Sequence, residues 1–301
     1  MKKHIICILL IALSLVTASA QTSQPTRAQR IVAELHKPVS GTVLVAAHRG
    51  DWRHYPENSL AAIRSAVDMG ADIVELDIAL TSDSVLVVSH DRTLDRTTNG
   101  SGKISDHTYA EISALFLKDS DGNLTDCRMP TLYDALAVCK DRAVVNIDKG
   151  YDFYDLALTV TDALGVTGET LIKGVRMPGE VGAKFASHSG NMLYMPVINA
   201  ANPSLYEAYV RDGIVPMAYE LCWKERTPAV DEMMRAMVAS GSKLWVNTLW
   251  PSLNGGLCDE AAFAGNPDDV YGKIIADGAT IIQSDRPAFL LGYLRSRGMH
   301  E

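Results

Sequence analysis

From Val43 onward the chain alternates short apolar runs with amphipathic stretches. The runs are VLVAAH (43–48), DIVELDIAL (72–80), AVVNID (143–148), TLIKGV (170–175), MLYMPVI (192–198), PMAYELCW (216–223), KLWVNTLW (243–250) and TIIQSD (280–285). Each has the length and composition of a strand buried on both faces. Between them SLAAIRSAVDMG, YDLALTVTDALG, AVDEMMRAMVASG and VYGKIIADG carry helical spacing and close on a glycine suited to the left-handed conformation. Gly165, Gly190, Gly213, Gly241 and Gly278 follow one another at the interval of one strand-and-helix unit.

Eight such units, with no glycine-rich nucleotide loop after the first strand, predict an α/β fold of the (β/α)8 TIM barrel type rather than an open doubly wound sheet. The stretch from Gly70 to Gly165 is too long for one unit, so a small insertion follows the second strand, at about 85–140. It reads as a hairpin strand (VLVVSH), a loop rich in Gly, Thr and Asn, and two short helices. The barrel is expected over residues 42–301. Ahead of it, residues 21–41 read as a polar tail with one helix from about Arg27 to Leu35, expected to pack outside the core. Residues 1–20, MKKHIICILLIALSLVTASA, have the layout of a signal peptide, which predicts export to the periplasm or the medium. No later segment nears about 18 unbroken apolar residues, so stable membrane insertion is not expected.

Composition narrows the choices. The chain of 301 residues is 47% hydrophobic and 21% charged, enough for one large core. Its net charge of −8 becomes −10 once Lys2 and Lys3 leave with the leader, a poor balance for nucleic-acid binding. Cys127, Cys139, Cys222 and Cys258 then remain. A Cys222–Cys258 disulfide and free buried thiols are both compatible with the spacing, whereas a zinc site is not.

In a parallel barrel, polar residues that break a strand near its C-terminal end are candidates for chemistry. His48 and Arg49 close the first strand, Glu75 and Asp77 sit late in the second, and Asp148 ends the third. Lys173, Glu220 and Asn247 interrupt the fourth, sixth and seventh, and Asp285 ends the eighth. Glu75 and Asp77, two apart on a strand, share a face. Pointing inward they would repel one another unless a cation lay between them, and oxygen ligands favour Mg2+ or Ca2+, with Asp148 as third ligand. The alternative, that this alternation marks an exposed face, fits poorly with strands covered on both sides. His90 ends the hairpin strand, so two histidines end strands near the carboxylates, the arrangement that divides proton acceptance from donation. Trp223, Trp245, Trp250 and Tyr219 read either as core or as walls of an alcohol pocket. Asn58 reads as the cap of the helix beginning near Ser59, and Asp285 as a group that orients its neighbours.

H-R-G at 48–50, P-E-N-S at 56–59, G-A-D-I-V-E-L-D at 70–77 and H-D-R-T-L-D-R-T-T-N-G-S-G at 90–102 resemble the opening third of the glycerophosphodiester phosphodiesterases, and I-I-Q-S-D-R-P at 281–287 is similar to that family's closing strand. The resemblance implies a small-molecule glycerophosphodiester substrate cleaved to sn-glycerol 3-phosphate and an alcohol. It implies a divalent cation, Ca2+ or Mg2+, on Glu75 and Asp77, and Arg49 on the phosphate. His48 would take the proton from the attacking hydroxyl and His90 would give one to the leaving alkoxide. V-N-I-D-K-G at 145–150 departs from the family's Glu-x-Lys: Asp148 replaces the acid and Gly150 stands at the lysine position. Lys149 or Lys173 is left to supply the cation, with Lys173 preferred because a lysine buried in a barrel strand needs a partner. Trp250 is expected at the substrate. Two other readings remain at this stage: a phospholipase C- or D-like enzyme acting on intact lipids, and a non-catalytic binding protein presenting Arg49-Gly50-Asp51 as an adhesion loop.

Overall fold

The computed structural model describes residues 24–38 and 41–301; the leader expected at 1–20 lies outside the described residues. The strands are β1 (Leu44–His48), β2 (Ile73–Leu80), β3 (Leu86–Val88), β4 (Val144–Asp148), β5 (Thr170–Gly174), β6 (Leu193–Asn199), β7 (Ala218–Cys222), β8 (Lys243–Asn247) and β9 (Ala279–Ser284). All but β3 run parallel, and β1 hydrogen-bonds to both β2 and β9, which closes an eight-stranded barrel ringed by helices. The eight apolar runs in the sequence are its eight strands.

The two-residue period of a strand assigns every side chain to one of two layers. Val45, Ala47, Val74, Leu76, Val145, Ile147, Ile172, Leu244, Val246 and Ile282 point outward and form the main core with the helices. Leu44, Ala46, Ile73, Val144, Leu171, Ala218, Trp245 and Ile281 point inward and fill the lower barrel. The same inward series continues upward as His48, Glu75, Asp77, Asn146, Asp148, Lys173, Glu220, Asn247 and Gln283. The barrel is thus apolar below and polar at its C-terminal mouth, and register places the polar residues side by side: His48 against Glu75, Asp77 against Asp148, Asn247 against Gln283.

The helix Arg27–Leu35 does not pack outside the core as expected. It begins in a capping box made by Thr26 and Gln29, and its stripe of Ala28, Ile31 and Leu35 is buried. Ile31 and Leu35 join the inner cluster with Leu44, Ile73 and Trp245, so the helix plugs the N-terminal end of the barrel. Inward apolar side chains at that end need a cover, and an amphipathic helix supplies one. Arg27 pins it to Asp72 at 2.8 Å, and Glu34 lies 3.5 Å from Lys243.

The insertion begins with β3, antiparallel to β2, and has a small core of its own built on Val87, Leu94, Ile104, Ile112, Leu117 and Met129. It ends sooner than expected, because Leu132–Cys139 packs between the helices Leu60–Met69 and Tyr154–Leu164 as part of the ring. Cys127, Cys139, Cys222 and Cys258 are all free thiols, which decides against the Cys222–Cys258 bridge. Among the described residues no helix is long and apolar enough to cross a membrane.

Candidate active site

The strand ends surround a cavity of about 480 Å3 whose walls include His48, Arg49, Glu75, Asp77, His90, Asp148, Lys149, Lys173 and Trp250. These nine, all singled out from the sequence, therefore meet in one place. A second cavity of about 470 Å3 shares His48, Arg49 and Trp250 and is closed on its far side by the insertion.

Oxygen atoms of Glu75, Asp77 and Asp148 lie within 4.8 Å of one another. Glu75 and Asp77 are buried. Burial and the charge of Asp77 push the Glu75 carboxyl well above the ordinary carboxylate range, with Asp148 adding to the effect. Three converging carboxylates, two of them shut from water, form a donor set of hard oxygens that suits a divalent cation.

Two lysines approach this cluster from opposite sides. Lys173 lies beneath it, buried, with Nζ 3.9 Å from Glu75 Oε1 and 3.2 Å from Glu220 Oε2. Burial alone would lower its pKa, but Glu220 and Glu75 outweigh that and hold it charged. Glu220 Oε1 also accepts from Asn247 Nδ2 at 2.8 Å. Lys149 comes from the mouth, about half exposed, with Nζ 3.5 Å from Asp77 Oδ1. A regular strand would have turned it to the outer face. Instead β4 ends at Asp148, and Lys149 adopts a left-handed backbone (φ 60°) that swings its side chain back over the site. Gly150 permits the bend, because a Cβ there would sit 2.7 Å from Ile172 Cγ2. Both lysines left open by the sequence reach the cluster, Lys173 from beneath and the half-exposed Lys149 at the cavity mouth.

Each histidine is oriented by a carboxylate. His48 Nδ1 donates to Asp285 Oδ1 at 2.7 Å, and His90 Nδ1 to Asp91 Oδ1 at 2.8 Å, so both Nε2 atoms are left for the cavity. Burial acts to lower the pKa of His48, but the bond to Asp285 and the charges of Glu75 and Asp285 raise it overall. The Trp250 ring meets the His48 imidazole edge-on at 6.1 Å between centroids. Trp223, Trp245 and Tyr219 are buried, and only Trp250 of these aromatics stands half exposed on the cavity wall.

Arg49 is fixed by Glu57, which accepts from Nη1 at 3.1 Å; its Nε, 3.5 Å from Asp77 Oδ2, is buried without a hydrogen bond. The arginine takes a left-handed backbone (φ 54°), and Gly50 follows at φ 76°, where any Cβ would run into the backbone of Ala62. Asp51 is buried and accepts from Ser65 Oγ at 2.7 Å. An Arg-Gly-Asp sequence folded inward in this way cannot serve as an adhesion loop. Asn58 is not the helix cap: Ser59 accepts from Ala62 N, while Asn58 Nδ2 donates to Asp77 Oδ2 at 3.3 Å. Both residue types favour that position, and the left-handed backbone of Asn58 (φ 61°) gives the cap to its neighbour.

Sequence reasoning missed Arg96 and Asp259. Arg96 makes paired bonds to Glu57 (2.7 and 2.8 Å) and to Asp91 (2.7 and 2.9 Å), joining the carboxylate behind Arg49 to the one behind His90. The alternation of charge along H-D-R-T-L-D-R was its only signal. Asp259 lies outside the cavity, and its carboxylate is completely buried against four donors, one of them the Asp285 backbone N–H.

Residues 48–163 match the Glycerophosphoryl diester phosphodiesterase family, and residues 194–294 match a second family described as a domain of unknown function. The chain is 47% identical over 107 residues to a glycerophosphodiester phosphodiesterase of Caldanaerobacter subterraneus subsp. tengcongensis, covering 35% of this chain and 44% of that one. It is 41% identical over 121 residues to human glycerophosphodiester phosphodiesterase 1, covering 39% and 36%. The matches thus span less than half the length of these curated relatives. A crystal structure of a glycerophosphoryl diester phosphodiesterase from Parabacteroides distasonis is similar over 91% of this chain and 93% of its own, with a TM-score of 0.73 and 26% identity. The motifs of residues 48–163 are thus those of the glycerophosphoryl diester phosphodiesterase family, carried on a barrel similar to that of a solved member.

Proposed function

We propose that the protein hydrolyses glycerophosphodiesters to sn-glycerol 3-phosphate and an alcohol. The observation that carries this reading is a carboxylate-oriented histidine on each side of the three-carboxylate cluster, all facing one cavity. Glu75, Asp77 and Asp148 would hold the divalent cation, Ca2+ or Mg2+. Bound there, such an ion neutralises charge on a phosphate oxygen. The chain's own residues account for the rest. Asp285 fixes the tautomer of His48 so that Nε2 can accept the proton of the attacking hydroxyl, and His90, set by Asp91, gives a proton to the leaving alkoxide. Arg49, steadied by Glu57, turns its guanidinium to the phosphate, and Lys149 adds a second cation from the mouth. Lys173 neutralises Glu75 and Glu220 from below. Trp250 walls the side on which His48 works. The signal-like layout of residues 1–20 supports export of this activity to the periplasm or the medium.

The test is release of glycerol 3-phosphate from glycerophosphocholine, glycerophosphoethanolamine and glycerophosphoinositol, with added Ca2+ or Mg2+ and with chelator. Release from at least one headgroup, abolished by chelator and by His48→Ala, is expected. No release from any headgroup by folded protein supplied with either ion would overturn the reading.

A further inference from the structure

His48 is held by Asp285, and Asp285 is itself held at every polar atom of its backbone. Its N–H donates to Asp259 Oδ2 at 2.7 Å. Its carbonyl accepts from Arg53 Nε at 3.0 Å, and the Nη2 of the same arginine pairs with Glu260. Glu260 also takes Arg286 Nη2 at 2.9 Å, so it ties the residues on either side of the dyad together. On the side chain, Asp285 Oδ1 accepts both from His48 Nδ1 at 2.7 Å and from Trp52 Nε1 at 2.6 Å.

Asp259 is the costly part of this arrangement. Its carboxylate is fully buried, outside the cavity, in a place where an apolar residue would be cheaper. Its second oxygen accepts from Thr248 Oγ1 (2.7 Å), Tyr271 Oη (2.7 Å) and Ser284 Oγ (3.0 Å), which leaves it no rotational freedom. Thr248 and Ser284 lie at the upper ends of the last two strands, so the carboxylate refers the position of Asp285 to the barrel itself.

We propose that Asp259 and Glu260 are positioning residues for His48, acting through Asp285: Asp259 fixes its backbone N–H and Glu260, through Arg53, its carbonyl. This rests on the reading of His48 as a proton-transfer group. It gives a role to one part of the segment 194–294, whose matching family has no described function. A dyad clamped at both ends keeps the imidazole within the small tolerance that proton transfer demands.

Asp259→Asn is nearly isosteric. Its amide oxygen can still accept from the three hydroxyls, but the amide nitrogen then faces the Asp285 N–H, donor against donor. Glu260→Gln alters an exposed carboxylate and leaves the core untouched. For both variants the expected result is a fall in kcat of about ten- to a hundredfold with KM held near wild type. The low-field imidazole N–H proton resonance of His48 should also shift or broaden. That resonance is read without substrate, so it tests the clamp even if glycerophosphodiesters prove not to be hydrolysed. A merely structural role would lower the melting temperature and leave both the resonance and the kcat of the folded fraction unchanged, which would overturn the proposal. If Asp259→Asn does not fold, Glu260→Gln decides alone: wild-type kcat and an unmoved resonance refute it.

Discussion

Lys149 and Asp77 stand 3.5 Å apart, although strand alternation would send them to opposite faces of the barrel. The left-handed turn at Lys149 brings them together and separates the duties of the two lysines. Lys149→Ala should lower kcat/KM by about tenfold or more with little change in melting temperature, since the Lys149 ammonium is half exposed and water screens its attraction to Asp77. Lys173→Met should instead destabilise the fold by about 3–5 kcal/mol, because it leaves Glu75 and Glu220 buried without their cation. Urea unfolding beside steady-state kinetics checks the pair. Equal stability losses in the two variants would contradict the division.

The three carboxylates should make the protein more stable when a divalent ion is added. An ion at a hundredfold excess over its dissociation constant adds about 2.7 kcal/mol. Melting temperature in Ca2+ or Mg2+ against chelator measures it, and Asp148→Asn and Asp77→Asn should each remove most of the gain. Melting curves that ignore both ions would show that the cluster does not bind them.

Stability should also fall as pH rises above neutrality. His300 Nε2 bonds to Asp72 Oδ2 at 2.8 Å. Burial alone would lower its pKa, but the bond to Asp72 and its charge raise it above 6.5. A raised histidine pKa contributes its full stabilisation below the unfolded value of 6.5 and loses it as pH climbs through the folded value. His48 shifts the same way. Melting temperature should therefore decline as pH rises above about 6.5, less steeply in His300→Gln than in wild type. Identical slopes would show that His300 contributes nothing.

Gly50→Ala should be among the most damaging single-methyl additions in the protein. The position has φ 76°, and a Cβ would lie 2.7 Å from the Ala62 carbonyl carbon, a backbone atom that cannot move without shifting its helix. Strain of about 1–3 kcal/mol is expected, together with displacement of His48 and Arg49. Unfolding and activity of the variant measure both. A variant with wild-type values for each would mean that the loop relaxes freely.

The barrel was legible because eight apolar runs spaced by helices admit few other closures, and the inward face of β2 was legible because Glu75 and Asp77 obey a period of two. Lys149 escaped that rule, since strand periodicity ends where the backbone turns left-handed. The plug helix was visible as an amphipathic stretch, but its stripe does not say which surface it covers. Arg96 and Asp259 act through loop geometry across 39 and 26 positions of chain, and no local pattern encodes such contacts.

The seam between β1 and β9 has a consequence for the order of folding. Glu75, Asp77 and Asp148 all come from the first half of the chain, whereas His48 and Asp285 are 237 residues apart and meet only when the last strand docks beside the first. Loop closure over that span is among the most entropically demanding contacts in the molecule and falls late in assembly. A chain still missing β9 can gather its carboxylates but not its oriented imidazole. The proton transfer proposed for His48 is thereby tied to completion of the barrel, and a nascent chain would not be competent for it before its last strand docks.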